Sequence, residues 1–225
     1  MSFSLTLEFT LQQGEFSVEI DERIEADAIA LYGPSGAGKT TVLEAVAGLR
    51  QPERGRIAVG DRTLFGSEDG VDVPARHRCI GYVPQEVALF PHMNVRQNVT
   101  YGAHGAPTED LARVLAVLDL ESLVERRVEQ LSGGEQKRTA IARALMAGSR
   151  MLLLDEPLSA LDVALQRRVM QYLVRVHDEF NIPMIYVSHR ADEVLMLTDW
   201  VVQLDNGCVT ASGPSKDILP REQRM

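Results

Sequence analysis

Residues 28–49 read AIALYGPSGAGKTTVLEAVAGL, a short apolar run, a glycine-rich loop and a helix-like run in succession. Ala28 to Tyr32 is a short apolar run ending in glycine, the pattern of a buried strand that feeds a loop. Thr41 to Leu49 reads as a helix, closed by Gly48 and the later Pro52. Between them GPSGAGKT, residues 33–40, fits G-x-x-x-x-G-K-[ST]. The glycines let backbone N–H groups converge on phosphate oxygens without Cβ clashes. The following helix points its positive end at the same place. Lys39 supplies a point charge for β- and γ-phosphates, and Thr40 offers a hydroxyl to Mg²⁺. Gly33, Pro34, Ser35, Gly36, Ala37, Gly38 and Thr41 complete the candidate nucleotide loop. The bland alternative is a glycine-rich turn with an exposed lysine, and the strand–loop–helix context weighs against it.

Outward from the loop, the periodicities fall into two kinds. Phe3, Leu5, Leu7, Phe9 and Leu11 alternate with polar residues, as a half-buried strand does. Gln12 to Glu15 reads as a turn, and Phe16, Val18 and Ile20 resume the alternation, so a hairpin opens the chain. Met151 to Leu154 and Met184 to Val187 are further short buried strands. Trp200 to Leu204, Asn206-Gly207 and Cys208 to Ala211 read as a closing hairpin, because Asn-Gly supplies the positive φ of a tight turn. Helical spacing recurs at Leu111, Val114, Leu115 and Leu118, at Ile141, Leu145 and Met146, and from Leu165 through Val169, Leu173 and Val176 to Phe180. The expected fold is α/β, with a P-loop NTPase core on a mainly parallel sheet. An N-terminal antiparallel β subdomain and an inserted helical subdomain complete it. The core takes 1–85 and 151–225, the helical part 86–150. There is no internal repeat and no low-complexity segment.

Composition narrows the function. The 225 residues are 45% hydrophobic and 24% charged, ordinary for a globular chain. Against 32 acidic residues stand 23 basic ones, a net charge of −9, which disfavours nucleic acid as a partner. No apolar run approaches the roughly 18 residues that span a bilayer. The N-terminus lacks the basic start and apolar block of a signal peptide, so the cytosol is the expected compartment. Cys79 and Cys208 have no metal-type spacing and read as reduced thiols. His77, His92, His104 and His177 have no partner motif and read as ordinary surface or core residues.

A second motif is MLLLDEP, residues 151–157. Asp155 follows an apolar strand and so emerges at its carboxyl end, where ligands bind in parallel sheets. It can hold Mg²⁺ through water. Glu156 is placed to accept a proton from an attacking water. Alone the pair is a weak signal, but beside a phosphate loop it gains force.

Residues 131–138 read LSGGEQKR, and here the chain resembles the ATP-binding subunits of ABC transporters, whose signature is LSGGQ. The order of motifs also matches: phosphate loop, Gln85, signature, the two carboxylates, SALD at 159–162, and His189 after the strand MIYVS. Glu135 stands where the family most often has Gln. The resemblance implies an ABC ATPase fold, and a head-to-tail homodimer that sandwiches two ATP molecules with Mg²⁺. Ser132, Gly133, Gly134 and Glu135 would meet the γ-phosphate held by the other subunit. Ser132 and Glu135 also fit a capping box, which alone would make LSGGE a helix start. Gln85 would reach the Mg²⁺ and the attacking water, His189 the γ-phosphate, and Asp162 the dimer interface. Metal contacts would come from Thr40, Gln85 and Asp155. Phe16 is the candidate for stacking on adenine, and its alternation with Val18 and Ile20 equally fits a hairpin core.

Residues 81–102, GYVPQEVALFPHMNVRQNVTYG, are similar to importer subunits, most of all the molybdate or oxyanion importer group; sulfate and ferric-iron importers share much of this. The resemblance implies a peripheral subunit on the cytoplasmic face of the inner membrane. It would act with a separate integral permease and, indirectly, an extracytoplasmic solute-binding protein. Leu89, Phe90 and Met93 would line the docking surface, or else fill the helical core. Many members carry a C-terminal regulatory domain; here the sequence stops soon after ASGPSKDILP, whether the natural protein is short or was cut there, and regulation by bound anion is not assumed. The competing reading is a soluble, non-transport ABC-type ATPase.

Overall fold

The computed structural model describes residues 3–103 and 108–219, so His104 lies outside the described residues. In chain order the elements are β1 (Ser4–Gln13), β2 (Phe16–Glu25), β3 (Ala28–Tyr32), α1 (Lys39–Ala47), β4 (Arg54–Val59), β5 (Arg62–Gly66), β6 (Val71–Asp72), β7 (Ile80–Val83), α2 (Val95–Thr100), α3 (Thr108–Val117), α4 (Gly133–Met146), β8 (Met151–Asp155), α5 (Val163–Phe180), β9 (Met184–Ser188), α6 (Ala191–Leu197), β10 (Trp200–Asp205), β11 (Cys208–Pro214) and α7 (Ser215–Ile218). They form two compact units, Met1–Arg78 with Pro183–Met225, and Cys79–Ile182.

In the first unit the strands run in the order β6-β5-β4-β1-β2-β11-β10-β3-β9. β1 and β2 form the expected antiparallel hairpin, in register from Ser4↔Glu25 to Gln13↔Phe16. Leu5, Leu7, Phe9 and Leu11 all point inward and are buried, which is what a period of two requires. β4, β5 and β6 extend this part antiparallel. β3 instead lies parallel between β9 and β10 and is apolar on both faces. The antiparallel subdomain and the parallel core are therefore both present, joined through β2 and β11.

One buried charge fixes the far end of α1. The Arg78 guanidinium donates to the carbonyls of Ala45 (2.8 Å), Val46 (2.9 Å) and Val73 (2.7 Å), and pairs with Asp72 at 3.2 Å. Carbonyls of the last helical turn are thus met by a cation, which the helix dipole also favours. Burial pulls the Arg78 pKa down, and Asp72 opposes that.

In the second unit β7 and β8 pair in parallel, Ile80↔Met151 to Val83↔Leu154. α4 packs against β7, α2, α3 and α5. A Cβ on Gly81 would stand 2.7 Å from Ser149 Oγ and 3.0 Å from Ala144 Cβ, so glycine allows α4 its close approach to β7. Residues 86–150 hold α2, α3 and α4, and the compact unit continues past them to take in β7, β8 and α5. Buried Arg138 ties this unit together by donating to Leu118 O (2.6 Å) and Asp119 O (2.8 Å) beneath the ring of Tyr172. Both cysteines are free thiols. No helix among the described residues is long and apolar enough to cross a membrane.

Candidate active site

In the first unit β3 ends at Tyr32 and α1 begins at Lys39, so the loop between them leaves the carboxyl end of an interior strand. Its glycines are needed where they stand. Gly33, Gly36 and Gly38 have φ of 153°, 82° and 98°. A Cβ on Gly33 would lie 2.1 Å from Leu204 O, and one on Gly38 2.9 Å from Val18 Cγ2. Lys39 is 4% exposed and folds back over the loop, donating to Gly33 O at 2.9 Å and Pro34 O at 2.8 Å. Pro34, Ser35, Gly36 and Thr40 are exposed at the mouth, while Ala37 and Thr41 are buried beneath it. Support comes from the closing hairpin. The N–H of Gly207 donates to Ala37 O at 3.1 Å, and Glu19 N donates to Gly207 O at 2.8 Å. A lysine held by loop carbonyls at a helix N-terminus makes a small positive bowl.

Phe16 is half-buried. A Cβ on Gly38 would meet its Cζ at 3.3 Å, and one on Gly207 at 3.4 Å. Its ring tip therefore lies beside the loop, whereas Val18 and Ile20 are fully buried in the hairpin core.

His189 follows β9 directly, and the register Tyr32↔Ser188 makes Gly33 and His189 leave neighbouring strands at one level. His189 is exposed. Its neighbours are fixed from below by Glu193, which accepts from Ser188 Oγ (2.7 Å) and from Tyr186 OH (2.8 Å). Arg190 N donates to Ser188 Oγ at 3.0 Å, and the Arg190 guanidinium lies 3.4 Å from Glu193. Burial, then the Glu193 charge, pushes the Tyr186 hydroxyl pKa far up, so it stays a donor.

The second unit carries the remaining candidates. Asp155 is the last residue of β8 and is buried. Glu156 follows with φ 42°, a left-handed conformation costly for a side chain with a Cβ. Such strain gathers at functional positions. Gln85 is exposed two residues beyond β7. Ser132 caps α4: Glu135 N donates to Ser132 Oγ at 3.4 Å, and Ser132 N to Glu135 Oε2 at 2.7 Å. The capping box is thus formed, and the serine O–H is still a donor. Ser132 and Gly133 are exposed and Gly134 is buried against Leu165. Partial burial raises the Glu135 pKa, but the Ser132 bonds and the Arg138 charge outweigh it, and the net shift is down. Asp162 caps α5, accepting from Leu165 N at 2.9 Å.

Two supports escaped the sequence reading. Glu193 looks like an ordinary acid in the first turn of a short helix. Lys137 stands in plain view within LSGGEQKR but is buried, and its Nζ donates to Gln85 O. Burial lowers its pKa, and the charges of Asp155 and Glu156 pull it back up.

Comparison with known proteins gives this geometry a context. The chain is 46% identical over 219 residues to a molybdenum import ATP-binding protein, ModC, of Brucella suis, covering 96% of the chain and 61% of the relative. It is 42% identical over 230 residues to ModC of Salmonella choleraesuis, covering 98% and 65%. The chain thus spans about three fifths of the length of the curated relatives it matches. Among solved structures, cbiO1 of Clostridium perfringens, part of the ABC transporter complex cbiONQ, superposes with a TM-score of 0.83 at 26% identity, over 97% of this chain and 90% of that one. A dimeric ATP-binding cassette bound to ADP and Pi shares the fold, with a TM-score of 0.75 at 24% identity over 95% and 98%. The family model described as ABC transporter matches residues 17–159. That match takes in the phosphate loop, Gln85, the LSGGE cap and both carboxylates in their order, and the chain belongs to the ABC transporter family.

Proposed function

We propose that this chain is the ATP-hydrolysing subunit of an importer for molybdate or a related oxyanion such as tungstate. The observation that carries the ATPase reading is the built phosphate loop, with Lys39 folded onto its carbonyls. The solute reading rests on the likeness to the two ModC proteins.

In this reading the loop N–H groups and Lys39 hold the β- and γ-phosphates, and the Phe16 ring stacks on adenine. Thr40, Asp155 and the Gln85 side chain would hold Mg²⁺. One hydroxyl, one carboxylate and one amide oxygen form a hard donor set that suits this ion, with phosphate and water completing it. Bound there, the ion would neutralise charge on the phosphates. Glu156 takes the proton of the attacking water, and His189, steadied by Glu193, donates to the γ-phosphate. Positioning and charge neutralisation carry most of phosphoryl transfer. Two copies meet head to tail, so that Ser132, Gly133, Gly134 and Glu135 of one face the phosphate held by the other, with Asp162 at the interface. Residues 86–150 act as the signature subdomain. The surface near Leu89, Phe90 and Met93, half-buried here, contacts an integral permease on the cytoplasmic side of the membrane. An extracytoplasmic solute-binding protein delivers the anion, and nucleic acid has no part.

The test is hydrolysis and uptake together. Glu156→Gln should bind ATP, stop turnover and accumulate a dimer; hydrolysis at the parent rate would remove Glu156 as the base. Lys39→Ala should lose nucleotide affinity. Cells lacking the chain should fail to take up molybdate and regain uptake with the parent gene but not with either variant. Recovery of the chain with ribosomes and not with membranes would replace the importer by a soluble ATPase.

A further inference from the structure

Lys137 has no part in the phosphoryl transfer just set out, yet it is a lysine 5% exposed. It lies on α4, five residues after the capping Ser132, about 7.5 Å along a helix that rises 1.5 Å per residue. Three successive residues of α4 reach backbone carbonyls of separate segments. Gln136 Nε2 donates to Val128 O (3.3 Å) and Leu131 O (3.2 Å), Arg138 to Leu118 O and Asp119 O, and Lys137 Nζ to Gln85 O at 2.5 Å. Gln136 and Arg138 fasten α4 inside the helical part of the chain. Lys137 reaches 52 residues back to the loop after β7. Among the described residues no buried side-chain nitrogen or oxygen lacks a hydrogen-bond partner. A buried ammonium that lost its carbonyl would leave a hydrogen bond unmade away from water, so the contact resists slipping.

We propose that Lys137 is a positioning residue that ties the signature helix α4 to the Gln85 loop, so that a shift of Ser132 moves the Gln85 backbone with it. The proposal rests on the ATPase reading above for its kinetic consequence, but the tie itself is a property of the fold. Ser132 would meet nucleotide and Gln85 the metal and water; Lys137 touches neither and acts through both. The bond runs to a main-chain oxygen, so it fixes where the loop is and leaves the Gln85 side chain to its chemistry.

The experiment uses the full chain with Lys137→Met, Lys137→Gln and Lys137→Arg. Each is measured for steady-state ATP hydrolysis and for amide hydrogen exchange in peptides covering 33–40 and 84–90. Lys137→Met should lower kcat by about tenfold or more with KM changed less than about threefold, since a positioning defect spares ground-state binding. Exchange at 84–90 should speed up while 33–40 stays as in the parent. Lys137→Arg, which keeps charge and donor, should recover most of both effects. Should Lys137→Met not fold, Lys137→Gln decides by the same two readings. Unchanged exchange at 84–90 in the folded variants overturns the tie, whatever the rate does. Faster exchange with parent kcat overturns its role in turnover. Failure of the parent to hydrolyse ATP, with exchange behaving as expected, would sink the ATPase reading and leave the tie standing.

Discussion

Replacing Gly207 by alanine isolates one contact and gives it a number. Gly207 has φ 79°, and a Cβ there would stand 1.9 Å from Ser17 O and 3.4 Å from Phe16 Cζ. The left-handed conformation alone costs an alanine about 1–2 kcal/mol. The clash is with main chain of β2, so the turn must back away by more than an ångström. That breaks the bonds Glu19 N→Gly207 O (2.8 Å) and Gly207 N→Ala37 O (3.1 Å). Each is worth about 0.5–1.5 kcal/mol. The total is about 2–5 kcal/mol, or roughly 4–20 °C of melting temperature for a chain of this size. Gly14→Ala is the internal control: φ is 60°, but nothing lies within 4 Å of the added Cβ. It should show only the conformational cost, about 1–2 kcal/mol. The assay is thermal unfolding of both variants beside the parent, followed by titration with a fluorescent ATP analogue. Gly207→Ala should also weaken nucleotide binding, because Ala37 loses an anchor. If the two variants melt within a degree of each other, the hairpin does not brace the loop.

Other perturbations separate in the same way. Arg78→Met removes the donor to three carbonyls and should cost about 3–5 kcal/mol, as breaking a buried charged network does, read as a lower urea midpoint. Tyr186→Phe should cost about 1–3 kcal/mol by taking a donor from buried Glu193, measured by urea unfolding. The Glu135 carboxylate has a folded pKa below its ordinary 4.5. Its support of α4 is therefore complete above that value and lost as pH falls through the lower folded one. Amide exchange at the start of α4 should rise on acidification in the parent but stay nearly flat in Glu135→Gln, which keeps a capping oxygen without the titration. Gly134→Ala would put a Cβ 2.5 Å from Leu165 Cδ1 and 3.0 Å from its Cγ, an overpacked contact that should cost about 1–3 kcal/mol in unfolding.

The sequence displayed the elements whose signals are local. The loop 33–40, the opening hairpin, α5 and the Asn206-Gly207 turn were all legible because period, glycine placement and turn chemistry are written over a few residues. β4 to β6 were not. Their segment, Arg54 to Asp72, begins with Arg-Gly-Arg and alternates weakly, and its strands form by adding to an edge that β1 provides. α2 is only six residues long, too short for a period, and is held by the Asn94 capping box. Among candidate site residues the motif members were plain. The residues behind them were not, since nothing local shows that Lys137 is buried or that Glu193 answers two hydroxyls at once. Phe16 needed the fold to choose between hairpin core and loop edge, because alternation places its face but not what lies opposite.

The brace under the phosphate loop also sets an order of events during synthesis. The loop is complete as sequence once Thr40 is made, but the N–H that holds Ala37 belongs to Gly207. At about 5–20 residues per second, the ribosome needs roughly 8–35 s more to supply it. Until then Gly33 lacks the Leu204 carbonyl beside it and Ala37 lacks its anchor, and a nascent chain carrying the whole motif has an unfinished bowl. Nucleotide binding thus reports on a chain made past Gly207, and a molecule stalled or cut before the closing hairpin would be silent toward ATP with every residue of its phosphate loop in place.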